Sequence, residues 1–246
     1  MSLLDETVEI PRRTMTLFFV IDTSGSMAGS KIGAVNDAVV NVLPMLEEIS
    51  AENPDAEIKV AALEFSTTCN WLYSEPKPAN EFVWQDVQAN ALTSLGAACK
   101  ELASKLSRTG FMKSASGSFA PAIILLSDGA PTDDFESGLA TLKQNNWFKA
   151  AIKVAIAIGD DADKDVLTKF TGTNEAVFTV HNIEALKQII RVVAVTSSQI
   201  GSKSSTAGDT TKQEQVIAEV KSAVDNIGGA EVASAPSSTA SYDDWD

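Results

Sequence analysis

Basic residues, histidine, cysteine and long apolar runs are all scarce in this chain. Nineteen lysines and arginines face 33 aspartates and glutamates, a formal net charge of −14. That balance argues against nucleic acid as a main partner, because binding it relies on cations that neutralise phosphates. No uninterrupted apolar run reaches the roughly 18 residues that a membrane-spanning helix needs. The opening residues Met1-Ser2-Leu3-Leu4-Asp5-Glu6 lack the basic start and apolar stretch of a signal peptide, which makes the cytoplasm the expected location. Of the two cysteines, Cys69 falls in strand-like and Cys99 in helix-like sequence, so buried free thiols are expected and not a disulfide. The one histidine, His181, precedes a helical segment and reads as a loop or capping residue.

What is present is a regular alternation of two periodicities. Residues 14–21, 58–65, 68–73, 120–127, 152–158 and 177–180 read as strands. Residues 32–49, 95–106, 135–144, 166–170 and 183–196 read as helices, the first from a stripe at Ile32, Val35, Val39, Val42, Leu43, Leu46 and Ile49. Only Ser66-Thr67 separates the second and third strands, a link so short that the pair must be antiparallel. The expected fold is α/β: a doubly wound, mostly parallel six-stranded sheet with one antiparallel edge strand and helices on both faces. In the strand order 3-2-1-4-5-6 the first and fourth strands are neighbours. Ligands of such sheets bind outside the carboxyl ends of the strands at that crevice.

The chemistry-bearing residues fall at those ends. Asp22-Thr23-Ser24-Gly25-Ser26 follows the apolar run 17–21, and Asp128-Gly129 follows the apolar run 122–126. Two carboxylates and two hydroxyls are hard oxygen donors of the kind Mg²⁺ takes, and neutral hydroxyls leave the ion electrophilic. Plainer roles exist for each piece. Ser24 and Ser26 can cap the helix that starts near Ser30, and Asp128-Gly129 can be an ordinary turn. A phosphate loop over residues 25–31 fails G-x-x-x-x-G-K-[ST], because the spacing is short and Ile32 follows Lys31.

In order and chemical type, Asp22, Ser24, Ser26, Thr93 and Asp128 resemble the metal-ion-dependent adhesion site of von Willebrand factor A domains, a likeness that covers residues 12–198. It implies that Ser24, Ser26 and Thr93 offer hydroxyls to Mg²⁺, or to Mn²⁺, directly or through water. Asp22 and Asp128 would hold the ion partly through its waters, and an Asp or Glu carboxylate of a protein partner would complete the shell. The strings Phe19-Val20-Ile21-Asp22-Thr23-Ser24-Gly25-Ser26-Met27 and Leu126-Ser127-Asp128-Gly129-Ala130-Pro131-Thr132-Asp133 further resemble the bacterial TerY-type proteins associated with tellurite resistance. That narrower likeness implies a non-enzymatic adaptor in stress or phosphorylation signalling, alongside a Ser/Thr kinase and a PP2C-like phosphatase. The competing class is a metal-dependent phosphohydrolase. Against it, the sequence offers no general base at the site, no second-metal ligand cluster and, at Asp22 or Asp128, no D-x-D signature of aspartyl-phosphate chemistry.

Residues 1–200 are therefore expected to form the metal-site domain, and residues 201–246 a flexible, Ser/Thr-rich acidic tail. The tail holds three lysines against eight acidic residues and a short amphipathic helix at about 213–228, built on Val216, Ile217, Val220, Val224 and Ile227. That helix is free in the sequence to dock on the domain, to bind a partner or to form transiently. Residues 197–211 and 234–241 read as exposed hydroxyl-rich stretches suited to phosphorylation. Tyr242-Asp243-Asp244-Trp245-Asp246 reads either as a solubilising tip or as an acidic recognition motif, and an Asp-rich tip could reach a neighbour's open metal site. Asp160-Asp161-Ala162-Asp163 lacks the glycine and distal glutamate of a calcium loop and reads as a helix start. Asp133-Asp134 reads as a cap on the helix that follows, and Trp71 and Tyr73 as packing residues.

Overall fold

The computed structural model describes residues 11–90, 92–160, 162–203, 211–228 and 230–233. β1 (Arg13–Asp22) is the centre of the sheet and buried along nearly its whole length. Its side chains alternate between two cores. Leu17, Phe19 and Ile21 face α1 (Ser30–Glu52), α6 (Ile183–Gly201) and α7 (Lys212–Val224). Phe18 and Val20 face α2 (Leu95–Lys105), α3 (Phe135–Gln144) and α5 (Lys164–Thr171). A strand apolar on both faces can be buried only between two helical layers, which is why its sequence is a continuous run.

On one side β1 pairs in parallel with β2 (Ala56–Phe65), and on the other with β5 (Ala122–Ser127). The parallel sheet continues through β6 (Ile152–Ile158) and β7 (Val177–Val180). β3 (Cys69–Trp71) pairs antiparallel with β2 at one edge, and the link observed, residues 66–68, is one residue longer than expected. Fold class and the central strand order agree with expectation. The structure adds two short strands to the six: β4 (Lys77–Pro78), antiparallel to β2, and β8 (Ala230–Val232), antiparallel to β7 at the far edge. It also adds a one-turn helix, α4 (Asn146–Ala150).

The helix foreseen near 213–228 docks. A capping box between Thr211 and Glu214 starts α7, and Val216, Ile217, Val220 and Val224 are buried. The Gln213 amide accepts from the Lys153 backbone N–H (2.6 Å) and donates to its carbonyl (2.7 Å). This satisfies the part of β6 that precedes the start of its pairing with β7 at Ala155.

One expectation is corrected. α6 runs on to Gly201, and Ser197, Ser198 and Ser202 are fully buried, so the start of the supposed exposed stretch 197–211 is closed to a kinase. The small residues are needed because the helix approaches the sheet closely: a Cβ on Gly201 would lie 2.7 Å from the Met15 Cε. Residues 204–210 and 234–246, with the acidic tip, lie outside the described residues. Cys69 is half-buried and Cys99 buried, both unpaired. Desolvation foremost, then nearby carboxylates, pushes their thiols up to about 11 and about 12 respectively, which leaves them protonated and unreactive.

Because α7 completes the core, Val220→Ala should lower stability by about 2 kcal/mol in urea unfolding. An unchanged midpoint would mean that α7 melts apart from the sheet.

Candidate metal centre

β1 and β5 are adjacent and parallel, with Ile21 opposite Leu126. Strand pairing therefore delivers Asp22 and Asp128 to the same end of the sheet from positions far apart in sequence. Both are buried, at 0% and 2% exposure. The Asp22 carboxylate accepts from the Ser24 backbone N–H (2.8 Å) and the Ser127 hydroxyl (2.6 Å). Burial raises its pKa, the hydrogen bonds from Ser127 and Ser24 oppose that rise, and the charge of Asp128 adds to it.

The two serines do not cap α1. Gly29, at φ 77°, occupies the cap position with no side-chain bond, and Ser24 makes no capping bond to the 3₁₀ turn Gly25–Met27. Their hydroxyls instead lie 3.0 Å apart, and Ser26 donates to Asp128 Oδ1 at 2.7 Å. The Lys31 ammonium, from the first turn of α1, donates to Asp128 Oδ2.

Thr93 is brought in by its loop. The Asn90 N–H bonds the Thr23 carbonyl (2.7 Å), and the Ser94 N–H bonds that of Ser66 (2.9 Å). Both the backbone N–H and the hydroxyl of Thr132 donate to the Thr93 carbonyl, at 2.7 and 3.1 Å. Asn36, buried in α1, donates to the Val87 carbonyl and accepts from the Val87 N–H and the Trp84 indole. A Cβ placed on Gly129 would lie 3.7 Å from the Ser26 hydroxyl and 4.0 Å from that of Thr93, so both border one point beside Asp128.

Two further acids hold the cup in shape. Asp133 accepts from the Gly96 and Ala97 N–H groups (2.9 and 2.8 Å) and so caps α2, the helix before it, whereas Asp134 caps α3 as expected. α2 and α3 meet through glycines: a Cβ on Gly138 would stand 2.2 Å from the Gly96 carbonyl oxygen. Elsewhere, Asp163 caps α5, and Asp160 pairs with His181 at 2.6 Å in the loop before α6.

Sequence reasoning named five oxygen-bearing residues that the fold brings to one end of the sheet but missed Ser127, Thr132, Asn36 and the role of Lys31. The one signal for Ser127 is its place at the end of a buried strand, next to Asp128. Among the described residues no three His, Cys, Asp or Glu side chains cluster as a metal cage, so an ion here depends on hydroxyls. The donor set of hydroxyl and carboxylate oxygens fits a hard divalent cation, and the cup already accepts the cationic head of Lys31.

The von Willebrand factor type A domain profile matches residues 16–192. Among curated proteins none matches. Solved structures share the fold. A von Willebrand factor type A protein from Catenulispora acidiphila is 17% identical with a TM-score of 0.56, over 76% of this chain and 43% of its own. Proximal thread matrix protein 1 from the mussel byssus, with a zinc-occupied metal-ion-dependent adhesion motif, is 14% identical with a TM-score of 0.58, over 77% and 49%. The pilus adhesin SpaC from Lactobacillus rhamnosus GG is 14% identical with a TM-score of 0.60, over 78% and 32%. This chain thus spans less than half the length of each.

Ser127→Ala removes a donor from a buried carboxylate and should cost about 1–3 kcal/mol in metal-free urea unfolding. A loss below about 0.5 kcal/mol would show that water replaces the hydroxyl. Gly138→Ala should cost more, about 3 kcal/mol, because backbone must move to admit the methyl.

Proposed function

We propose that this chain, which belongs to the von Willebrand factor type A domain family, is a divalent-metal-dependent protein-interaction module whose ion is held by Asp22, Ser24, Ser26, Thr93 and Asp128. The observation that carries this reading is the Ser24–Ser26–Asp128 chain of hydrogen bonds at the tips of adjacent strands. These side chains have no capping duty and converge beside a buried carboxylate pair. A bound Mg²⁺ would supply a Lewis-acidic point that attracts an incoming Asp or Glu. The chain's own residues set the rest. Ser127 and the Ser24 N–H orient Asp22, Ser26 orients Asp128, and Thr132 fixes the loop that carries Thr93. Leu92, next to Thr93, is 56% exposed and gives a partner an apolar contact beside the carboxylate.

Lys31 competes with the ion. Metal binding to Asp128 must displace or share an ammonium, and a cation beside a cation is unfavourable. The module is therefore tuned toward occupancy when metal and partner carboxylate arrive together. Mg²⁺ is favoured over softer metals by the all-oxygen donors, with Mn²⁺ next.

The finer reading places the module in a TerY-type bacterial system with a Ser/Thr kinase and a PP2C-like phosphatase, in the cytoplasm. It rests on the strings around Asp22 and Asp128, with the two unbridged thiols in support of the location. Among the described residues no helix is long and apolar enough to cross a membrane. The role is non-enzymatic: the cup's two carboxylates are engaged in holding Ser24, Ser26, Ser127 and Lys31, and neither is placed as a free base.

Lys31→Gln should tighten Mg²⁺ binding about three- to tenfold in calorimetry, and Asp128→Ala should abolish it with the circular dichroism spectrum unchanged. Thr93→Ala should weaken capture of an Asp- or Glu-bearing partner more than it weakens the metal. Partner capture that persists in chelator, or metal-dependent release of phosphate from a phosphomonoester that Asp128→Ala abolishes, would overturn the proposal.

A further inference from the structure

At the opposite end of the sheet from the candidate metal centre lies a cleft of 960 Å³. It opens where β1 and β6 begin and where α7 starts. Four of its lining residues are cationic, Arg13, Lys149, Lys153 and Lys212, in a chain where acids outnumber bases 33 to 19. None of the four is ion-paired with a carboxylate among the described residues; the acids that are paired serve Lys31, Lys59, Lys105, Lys164, Lys169, Lys187, His181 and Lys221. Of the cleft's own two acids, one is ion-paired and the other is only hydrogen-bonded, which leaves one free negative charge against four positive. Glu175 pairs with Lys221 at 3.3 Å, and Glu214 accepts from the backbone N–H and hydroxyl of Thr211.

Three of the four cations are also fixed in place. Arg13 lies 3.9 Å from the centre of the Phe119 ring, and the Lys212 ammonium 5.1 Å from the same ring. Lys212 donates to the Gly201 and Lys203 carbonyls, and Lys153 donates to those of Phe148 and Ala151. Carbonyls and a ring face soften the desolvation of an ammonium but do not neutralise it. Consistently, burial depresses the pKa of Lys153, and burial followed by the charge of Arg13 depresses that of Lys212. Such a cleft, with Phe119 and Ile217 buried in its wall, suits a ligand that brings several carboxylates.

The chain carries that ligand at its rim. β8 runs antiparallel to β7, back toward the cleft end of the sheet. The Ala233 N–H bonds the Val177 carbonyl, and its own carbonyl accepts from Asn174, between the cleft-lining residues Thr173 and Glu175. Nine residues further on comes Tyr242-Asp243-Asp244-Trp245-Asp246, within about 30 Å of extended chain. We infer that this acidic segment docks in the cleft of its own chain, with its aspartates drawn to Arg13, Lys149, Lys153 and Lys212. Docked there, its carboxylates are kept away from the metal centre of any neighbouring copy.

The test uses the full chain labelled with 5-fluorotryptophan, its Trp245 resonance assigned with Trp245→Phe. The expected ¹⁹F position is displaced from that of the free peptide 234–246, independent of protein concentration. It should move onto the peptide's position in about 0.5 M salt. The same move is expected in the Asp243→Asn/Asp244→Asn/Asp246→Asn variant, which leaves the described fold untouched, and in Arg13→Gln/Lys212→Met. A Trp245 signal already at the free-peptide position in the parent would overturn the inference. So would a displacement that survives the triple asparagine variant, or one that grows with concentration and so reports exchange between copies. A displacement lost on deleting residues 2–10, whose Asp5, Glu6 and Glu9 precede Arg13 in the sequence, but kept in the triple variant would assign the cleft to that segment.

Discussion

A strand buried on both faces must satisfy every backbone group through its two neighbours, and β1 is such a strand. Its ten residues pair through their full length with β2, and from Leu17 to Ile21 with β5. Parallel pairing fixes where those neighbours end as well as where they lie. Once β1 and β5 are in register, two carboxylates stand at adjacent strand tips, and nothing short of breaking the sheet separates them. The loops, caps and hydroxyls around the site are responses to that enforced proximity.

The response is distributed. Ser127 and a backbone N–H carry Asp22, whereas Ser26 and Lys31 carry Asp128. The Thr93 loop is pinned by Thr23, Ser66 and Thr132, and behind it by the buried Asn36. The glycine contact between α2 and α3 lets Asp133 reach the start of α2, so the two loops that border the cup are tied to each other. Rigid placement of donors is what a small octahedral ion demands, since Mg²⁺ tolerates little distortion of its shell.

Much of this was legible in the sequence, for identifiable reasons. Continuous apolar runs ending in Asp22 and Asp128 mark strands and their tips at once, and the Ile32–Ile49 stripe marks the helix packed beside them. β4 and β8 were not legible, because two or three residues hold no period to read. The periodicity of Val216, Ile217, Val220 and Val224 showed a helix but not its destination. That is settled by Gln213 finding an unpaired backbone on β6. Ser197 and Ser198 looked like linker because small hydroxyl residues are common in linkers, yet here small size serves a close helix–sheet contact. Lys31 and Ser127 act through partners about a hundred residues away, and a one-dimensional pattern does not carry that information.

The outermost strands of the sheet are two or three residues long, β3 and β4 at one side and β8 at the other. Edges so short offer little template for a further strand to add on, and the side-chain amide of Gln213 covers a stretch of β6 that would otherwise stand open. Growth of the sheet from copy to copy is thereby blocked at both flanks. A molecule made this way can carry an adhesive patch at its strand tips without polymerising through its sides.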